Sequence, residues 1–192
     1  MPVLPPELRQ QAEAIMARYP AGRQRSAVMP LLYLTQSVEG YVTSEALREV
    51  ADLLGLRTAE VEAVASFYTM LRLRPTGTHV LSVCTNLSCS LRGARDVLQA
   101  ARTAAGVPTD GELSEDGLIT VHEEECLGVC EFAPVVQINV ANHDNVTPQR
   151  VAELVGSLRE GEVPAPSRGR AVRSYREASR ILAGAEHVEA GA

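Results

Sequence analysis

Four cysteines are the residues of this chain best suited to chemistry, and they are all the cysteines it has. Cys84 and Cys89 enclose four residues, and Cys126 and Cys130 enclose three. The 36 residues between the pairs are long enough for a helix and a strand. Two close pairs across one long gap describe a four-thiolate site closed by the fold. An iron–sulfur cluster is the occupant that the pattern favours.

The chemistry behind that preference is the match of soft sulfur to soft or borderline metals. A [2Fe–2S] cluster takes two protein ligands on each iron, so Cys84 with Cys89 would serve one iron and Cys126 with Cys130 the other. Gly128, inside the second pair, lets the backbone bend close to the cluster. The run Glu123, Glu124 and Glu125 lies directly before Cys126. Its negative charge opposes uptake of an electron, so a low reduction potential is expected. Structural zinc stays open, because zinc sites accept two to four residues between ligands. Disulfides or free thiols also stay open, although neither pair has the C-x-x-C spacing of a redox dithiol. A plant-type ferredoxin would require a third cysteine soon after Cys89, and none follows. A Rieske centre would require two histidine ligands, and His79, His122, His143 and His187 are not paired with the cysteines. His122 reads as part of a strand face, and His143 as part of a solvent-exposed turn.

The elements that must position these thiols follow from periodicity. The first 70 residues read as helical. Leu8, Ala12, Ile15 and Met16 have helical spacing after Pro5-Pro6. Val28 to Val38 forms a second apolar series that ends at Gly40. Thr43 is the expected N-cap of a third helix running to Gly55, and Thr58 of a fourth. The period changes near Phe67. His79 to Val83 reads as a strand with Cys84 at its end, and Leu91 to Ala105 as a helix. Leu118 to His122 and Val135 to Val140 read as further strands, with a hairpin turn expected at Asn142 to Asn145. Thr147-Pro148 opens a last helix that ends near Gly161.

This succession is an α/β arrangement: an N-terminal helical segment over 1–72, then a thioredoxin-like domain over 73–162. A helix-linked strand pair is expected to lie parallel with a right-handed crossover. Residues 163–192 read as an Arg-rich, partly disordered tail with a short helix around Arg173 to Leu182.

Composition narrows the function. The chain has 192 residues, a net charge of −6, 18 basic residues that are all arginine, and 4% aromatics without tryptophan. An acidic body with few aromatic platforms speaks against nucleic-acid binding. No run of about 18 apolar residues is present, so direct membrane insertion is not expected. The Pro-rich start lacks the apolar segment of a secretory leader, which makes the cytoplasm the expected compartment. No Ser/His/Asp or paired-carboxylate arrangement stands out, so substrate chemistry is not expected from this chain alone.

The residues around the cysteines carry a resemblance. They are Val83-Cys84-Thr85-Asn86-Leu87-Ser88-Cys89 with Arg92-Gly93-Ala94, and Glu125-Cys126-Leu127-Gly128-Val129-Cys130 with Ala133-Pro134. Asp116-Gly117, Met29-Pro30-Leu31-Leu32, Gln36, Gly40, Ser66-Phe67-Tyr68-Thr69 and Pro75-Thr76-Gly77 continue it. Together these resemble the thioredoxin-like [2Fe–2S] subunit of bacterial NADH:quinone oxidoreductase, respiratory complex I, over about residues 8–160. The resemblance implies that Cys84, Cys89, Cys126 and Cys130 all ligate one [2Fe–2S] cluster, in an electron-transfer subunit of an oxidoreductase. It implies a flavin-bearing, NADH-oxidising partner in the same complex, which holds FMN and NADH within a larger peripheral-arm assembly on the inner face of the cell membrane. The absence of a G-x-G-x-x-G or a phosphate loop here agrees with a nucleotide held elsewhere. The equivalent diaphorase component of a soluble NAD-linked hydrogenase or formate dehydrogenase is the nearest alternative. A zinc-stabilised interaction module is a more distant one.

Overall fold

The computed structural model describes residues 2–185. They form two compact units. One takes in the N-terminal residues up to Pro75 together with the segment from Arg176 onward, and the other runs from Thr76 to Tyr175.

The first unit is helical: α1 (Pro6–Ala17), α2 (Val28–Glu39), α3 (Ser44–Leu54), α4 (Thr58–Phe67) and, from the far end of the chain, α8 (Tyr175–Leu182), which lies almost wholly in this unit. Helix α2 is the central element, because seven consecutive residues from Leu31 to Ser37 are buried on it. A helix buried nearly all round must satisfy its polar side chains internally. Gln36 does so with three bonds. Its Nε2 donates to the Met70 carbonyl at 3.1 Å and to Ser179 Oγ at 3.0 Å, and its Oε1 accepts from the Arg72 N–H at 2.8 Å. Thr43 caps α3, its side chain accepting from the Ala46 N–H at 3.1 Å. Helix α4 departs from expectation. Its N-cap is Arg57, and Thr58 is the first helical residue. Glu60, three residues past that cap, reaches back to accept the Arg57 N–H at 3.2 Å and so takes over the capping role expected of Thr58.

The second unit holds a four-stranded sheet in the order β2-β1-β3-β4, made of β1 (His79–Cys84), β2 (Ile119–Glu124), β3 (Val136–Ile138) and β4 (Ala141–His143). Strands β1 and β2 are parallel, as a helix-linked pair should be; β3 and β4 run antiparallel to their neighbours. The crossover between β1 and β2 carries α5 (Leu87–Leu91) and α6 (Ala94–Ala105), and α7 (Pro148–Arg159) follows β4. Leu81, Val83, Ile119, Val121 and Ile138 share one core with Val97, Leu98 and Ala101 of α6 and Val151, Leu154 and Val155 of α7. Successive strand residues face opposite sides. With Leu81 and Val83 in that core, Cys84 points to the other face of β1. Gly77 permits the close entry to the sheet: a Cβ there would stand 2.5 Å from the Leu118 carbonyl.

The hairpin turn lies earlier than expected. It is formed by Asn139 and Val140, and Asn142 and His143 belong to β4. Asn139 adopts a positive φ of 60°, a conformation that asparagine tolerates better than most residues. His143 is therefore buried in the sheet, not exposed in a turn.

Burial also pushes the His79 and His143 imidazoles below their ordinary pKa; the nearby Arg150 adds to the effect at His143, and Asp144 opposes it. Both rings are thus held neutral in the fold, while in the unfolded chain they gain a proton near pH 6.5. The unfolded state binds more protons below that point, so stability present above about pH 6.5 is lost as the pH falls through the depressed folded values. Urea unfolding at pH 7.5 and 5.5 is expected to show this drop, and a His79→Asn, His143→Asn double variant to flatten it. An equal drop in parent and variant would assign the acid sensitivity elsewhere.

Beyond α7 the chain continues as an extended segment pinned to the second unit and then as α8. The part of the expected disordered tail at 186–192, including His187, lies outside the described residues.

Candidate metal centre

Each cysteine owes its position to a different local device. Cys84 ends β1, where its N–H donates to the Val135 carbonyl at 3.1 Å and its thiol faces the Glu125 carbonyl at 3.9 Å. Cys89 sits on α5, a helix of one turn capped by Asn86, whose side chain accepts the Leu87 N–H at 2.6 Å. Cys126 follows β2, and Cys130 opens a 3-10 turn (Cys130–Phe132) that leads into β3. All four are free thiols. Cys84 and Cys89 are buried, while Cys126 and Cys130 are exposed.

The two loops meet. Cys84 and Cys89 pack with Ala94, Ala133 and Val135 in a small apolar cluster, against which Leu127 and Val129 of the second loop are laid. Arg92 ties the loops further, its Nε donating to the Ala133 carbonyl at 2.6 Å. Burial pushes the Cys89 thiol up to about 11, helped by its hydrogen bond with Cys84 and by the nearness of Cys130, and opposed by a backbone bond to Val135. Cys84, Cys89 and Cys130 are therefore within electrostatic reach of one another. Cys126 shares the loop of Cys130, and its Sγ accepts the Gly128 N–H at 3.3 Å. That bond requires the backbone to turn back at Gly128, which has a φ of 71°.

The donor set fits an iron–sulfur cluster. Buried thiols that resist ionisation alone become thiolates when a cation supplies the missing positive charge. A backbone N–H aimed at sulfur is the kind of bond that tunes such a centre. Among the described residues, no three His, Cys, Asp or Glu side chains surround a single ion position. A tetrahedral zinc cage asks for such convergence, whereas a two-iron core draws two thiolates to each metal.

The acidic run is partly neutralised. Glu123 pairs with Arg95 at 2.8 Å and accepts from Thr85 Oγ1 at 2.7 Å. Glu124 faces Ser82 Oγ at 3.5 Å at the end of β2, and Glu125 is exposed. Sequence reasoning identified the four thiols but gave no role to Arg92 or Arg95. Their partners lie 41 and 28 residues away, and no local spacing announces them.

A model of the thioredoxin-like [2Fe–2S] ferredoxins matches residues 12–159. The chain belongs to that family. This ferredoxin is 46% identical over 173 residues to an NADH-quinone oxidoreductase subunit of Mycobacterium tuberculosis, covering 90% of the chain and 68% of that protein. It is 40% identical over 151 residues to NADH-quinone oxidoreductase subunit 2 of Thermus thermophilus, covering 78% of the chain and 83% of that protein. A chain of the NAD+-reducing [NiFe]-hydrogenase in its H2-reduced state shares the fold, with a TM-score of 0.62 at 20% identity over 71% of this ferredoxin and 22% of the hydrogenase chain. The cofactor of the family is a [2Fe–2S] cluster, and the two cysteine loops are the part of this ferredoxin suited to it.

Proposed function

We propose that this chain is the electron-transfer subunit that carries one [2Fe–2S] cluster within an NADH:quinone oxidoreductase, with Cys84 and Cys89 on one iron and Cys126 and Cys130 on the other. The observation that carries this reading is the meeting of the two cysteine loops in one apolar cluster, in a chain 46% identical to a quinone-linked relative over 90% of its length. Such a cluster, when bound, takes up and returns one electron. The chain's own residues shield it with Ala94, Ala133 and Val135 and orient the sulfurs through the Cys84, Gly128 and Arg92 bonds. The identity to quinone-linked relatives favours this complex over a soluble hydrogenase or formate dehydrogenase.

The partner we assign is the flavin-bearing component of the same complex, which would hold FMN and NADH. Exposed Leu87 and Leu91 flank buried Cys89 on α5, one helical turn apart, and give an apolar face beside the centre. Among the described residues no helix is long and apolar enough to cross a membrane. Placement on the inner face of the membrane would then come through the complex.

The deciding measurement is electron paramagnetic resonance of the dithionite-reduced protein with iron and acid-labile sulfide analysis. An S = ½ signal with matching iron and sulfide is expected. One zinc without visible absorbance would defeat the assignment. The potential offers a second test. Glu124 and Glu125 oppose reduction, so Glu124→Gln with Glu125→Gln is expected to raise the midpoint by on the order of 30 mV for each carboxylate, given screening by solvent and salt. Glu123, already paired with Arg95, should contribute less. An unchanged redox titration would remove the acidic run as the cause of a low potential.

A further inference from the structure

The region matched by the family ends at residue 159, yet the chain continues along the second unit in an ordered path. Hydrogen bonds pin that path along its length. The Ser167 N–H donates to the Asn142 carbonyl at 2.9 Å, and Ser167 Oγ accepts the Asp144 N–H at 2.8 Å. Asn139 Nδ2 donates to the Val172 carbonyl at 2.7 Å, while its Oδ1 accepts the Val80 N–H at 3.1 Å and so fixes the amide to β1. The Tyr175 N–H donates to the Thr78 carbonyl at 2.8 Å. Val172 and Tyr175 are buried at 5% and 2% exposure.

Arg168 lies in the middle of this strap. Its guanidinium sits over the Phe132 ring, 4.6 Å from the centroid, and pairs with the Asp144 carboxylate. Phe132 closes the 3-10 turn that Cys130 opens, and its carbonyl accepts the Asn145 N–H at 2.8 Å. The same turn is held from within by the Phe132 N–H on the Val129 carbonyl at 3.1 Å. One cation therefore joins the residue two places after Cys130 to the residue that follows β4.

We propose that the segment from Pro166 to Val172 is a strap that locks the second cysteine loop, with Arg168 as the positioning residue for Cys130. A planar guanidinium is suited to this task, because it can stack on a ring face and bond a carboxylate at its edge at once. Locking Cys130 slows escape of the cluster, since a ligand whose turn is held closed re-forms its bond before solvent intervenes. This step rests on the ligand set proposed above.

The test uses the full chain as the holoprotein. Arg168→Ala is expected to lose its visible chromophore to an iron chelator about fivefold faster than the parent, the scale of one exposed cation–π contact and one surface ion pair. Arg168→Lys should recover only part of the loss, because an ammonium keeps the charge without the planar stack. In a Phe132→Leu background, the alanine change should add little, since the two residues act as one contact. Amide exchange at Phe132 and Asn145 should quicken in Arg168→Ala, while exchange in α2 and α3 stays at parent rates. Parent rates of both chromophore loss and exchange in Arg168→Ala would overturn the strap, as would full additivity with Phe132→Leu. A colourless parent would overturn the cluster reading instead, and the exchange rates would still judge the strap.

Discussion

Replacing any one of Cys84, Cys89, Cys126 or Cys130 with alanine is expected to reduce bound iron and the reduced-state resonance signal to background. A two-iron core held by four thiolates has no spare ligand in this chain, because no other cysteine exists and the four histidines do not pair with the thiols. The fold should survive the change. Cys84 and Cys89 already sit among Ala94, Ala133 and Val135, so a methyl in place of a thiol keeps the apolar character of the site. Cys126 and Cys130 are exposed, and their replacement removes little buried surface. Far-ultraviolet circular dichroism of the apoprotein should therefore match the parent while the chromophore is gone. A single variant that kept full iron content and the parental signal would remove that residue from the ligand set. One that lost its helices together with its iron would show the thiol to be structural.

The thiols were legible because metal chemistry imposes local spacing. Two ligands on one iron must come from nearby residues or from a tight loop, and such spacing survives in one dimension. The helices of the first unit were legible for a related reason, since burying one face of a helix imposes a period near 3.6. The parallel pairing of β1 and β2 followed from the helix between them. What could not be read lies in pairs of distant residues. The apolar run from Val135 to Val140 concealed the turn at Asn139, because the polar cluster Asn142 to Asn145 gave a stronger loop signal. The asparagine at positive φ was the available clue. Gln36 with Ser179, and Arg168 with Phe132, join positions whose separation follows no period. Arginines in a basic stretch look like solvated charge until a ring and a carboxylate are found beside one of them.

That last point sets the expectation for a chain cut after residue 162, which should lose stability in each unit on the order of 2 to 4 kcal/mol. In the helical unit the cut removes buried Ala178, Ser179 and Ala183, and deprives the Gln36 amide of one of its two acceptors. In the sheet unit it removes buried Val172 and Tyr175 and leaves Asn139 Nδ2 without the Val172 carbonyl. These are losses of internal packing, so they differ in kind from the loss of exposed arginine contacts, which salt would largely screen. High salt should accordingly fail to mask the effect of truncation. A point variant isolates the helical part: Ala178→Glu places a carboxylate at a site with no exposure, and should reproduce most of the loss in that unit. Urea or thermal unfolding followed by circular dichroism measures both. If the truncated chain unfolded at the parental midpoint, α8 and the strap would be passengers on a fold already complete at residue 162. A lower midpoint for Ala178→Glu that salt does not restore would show that the C-terminal segment completes the core of the helical unit.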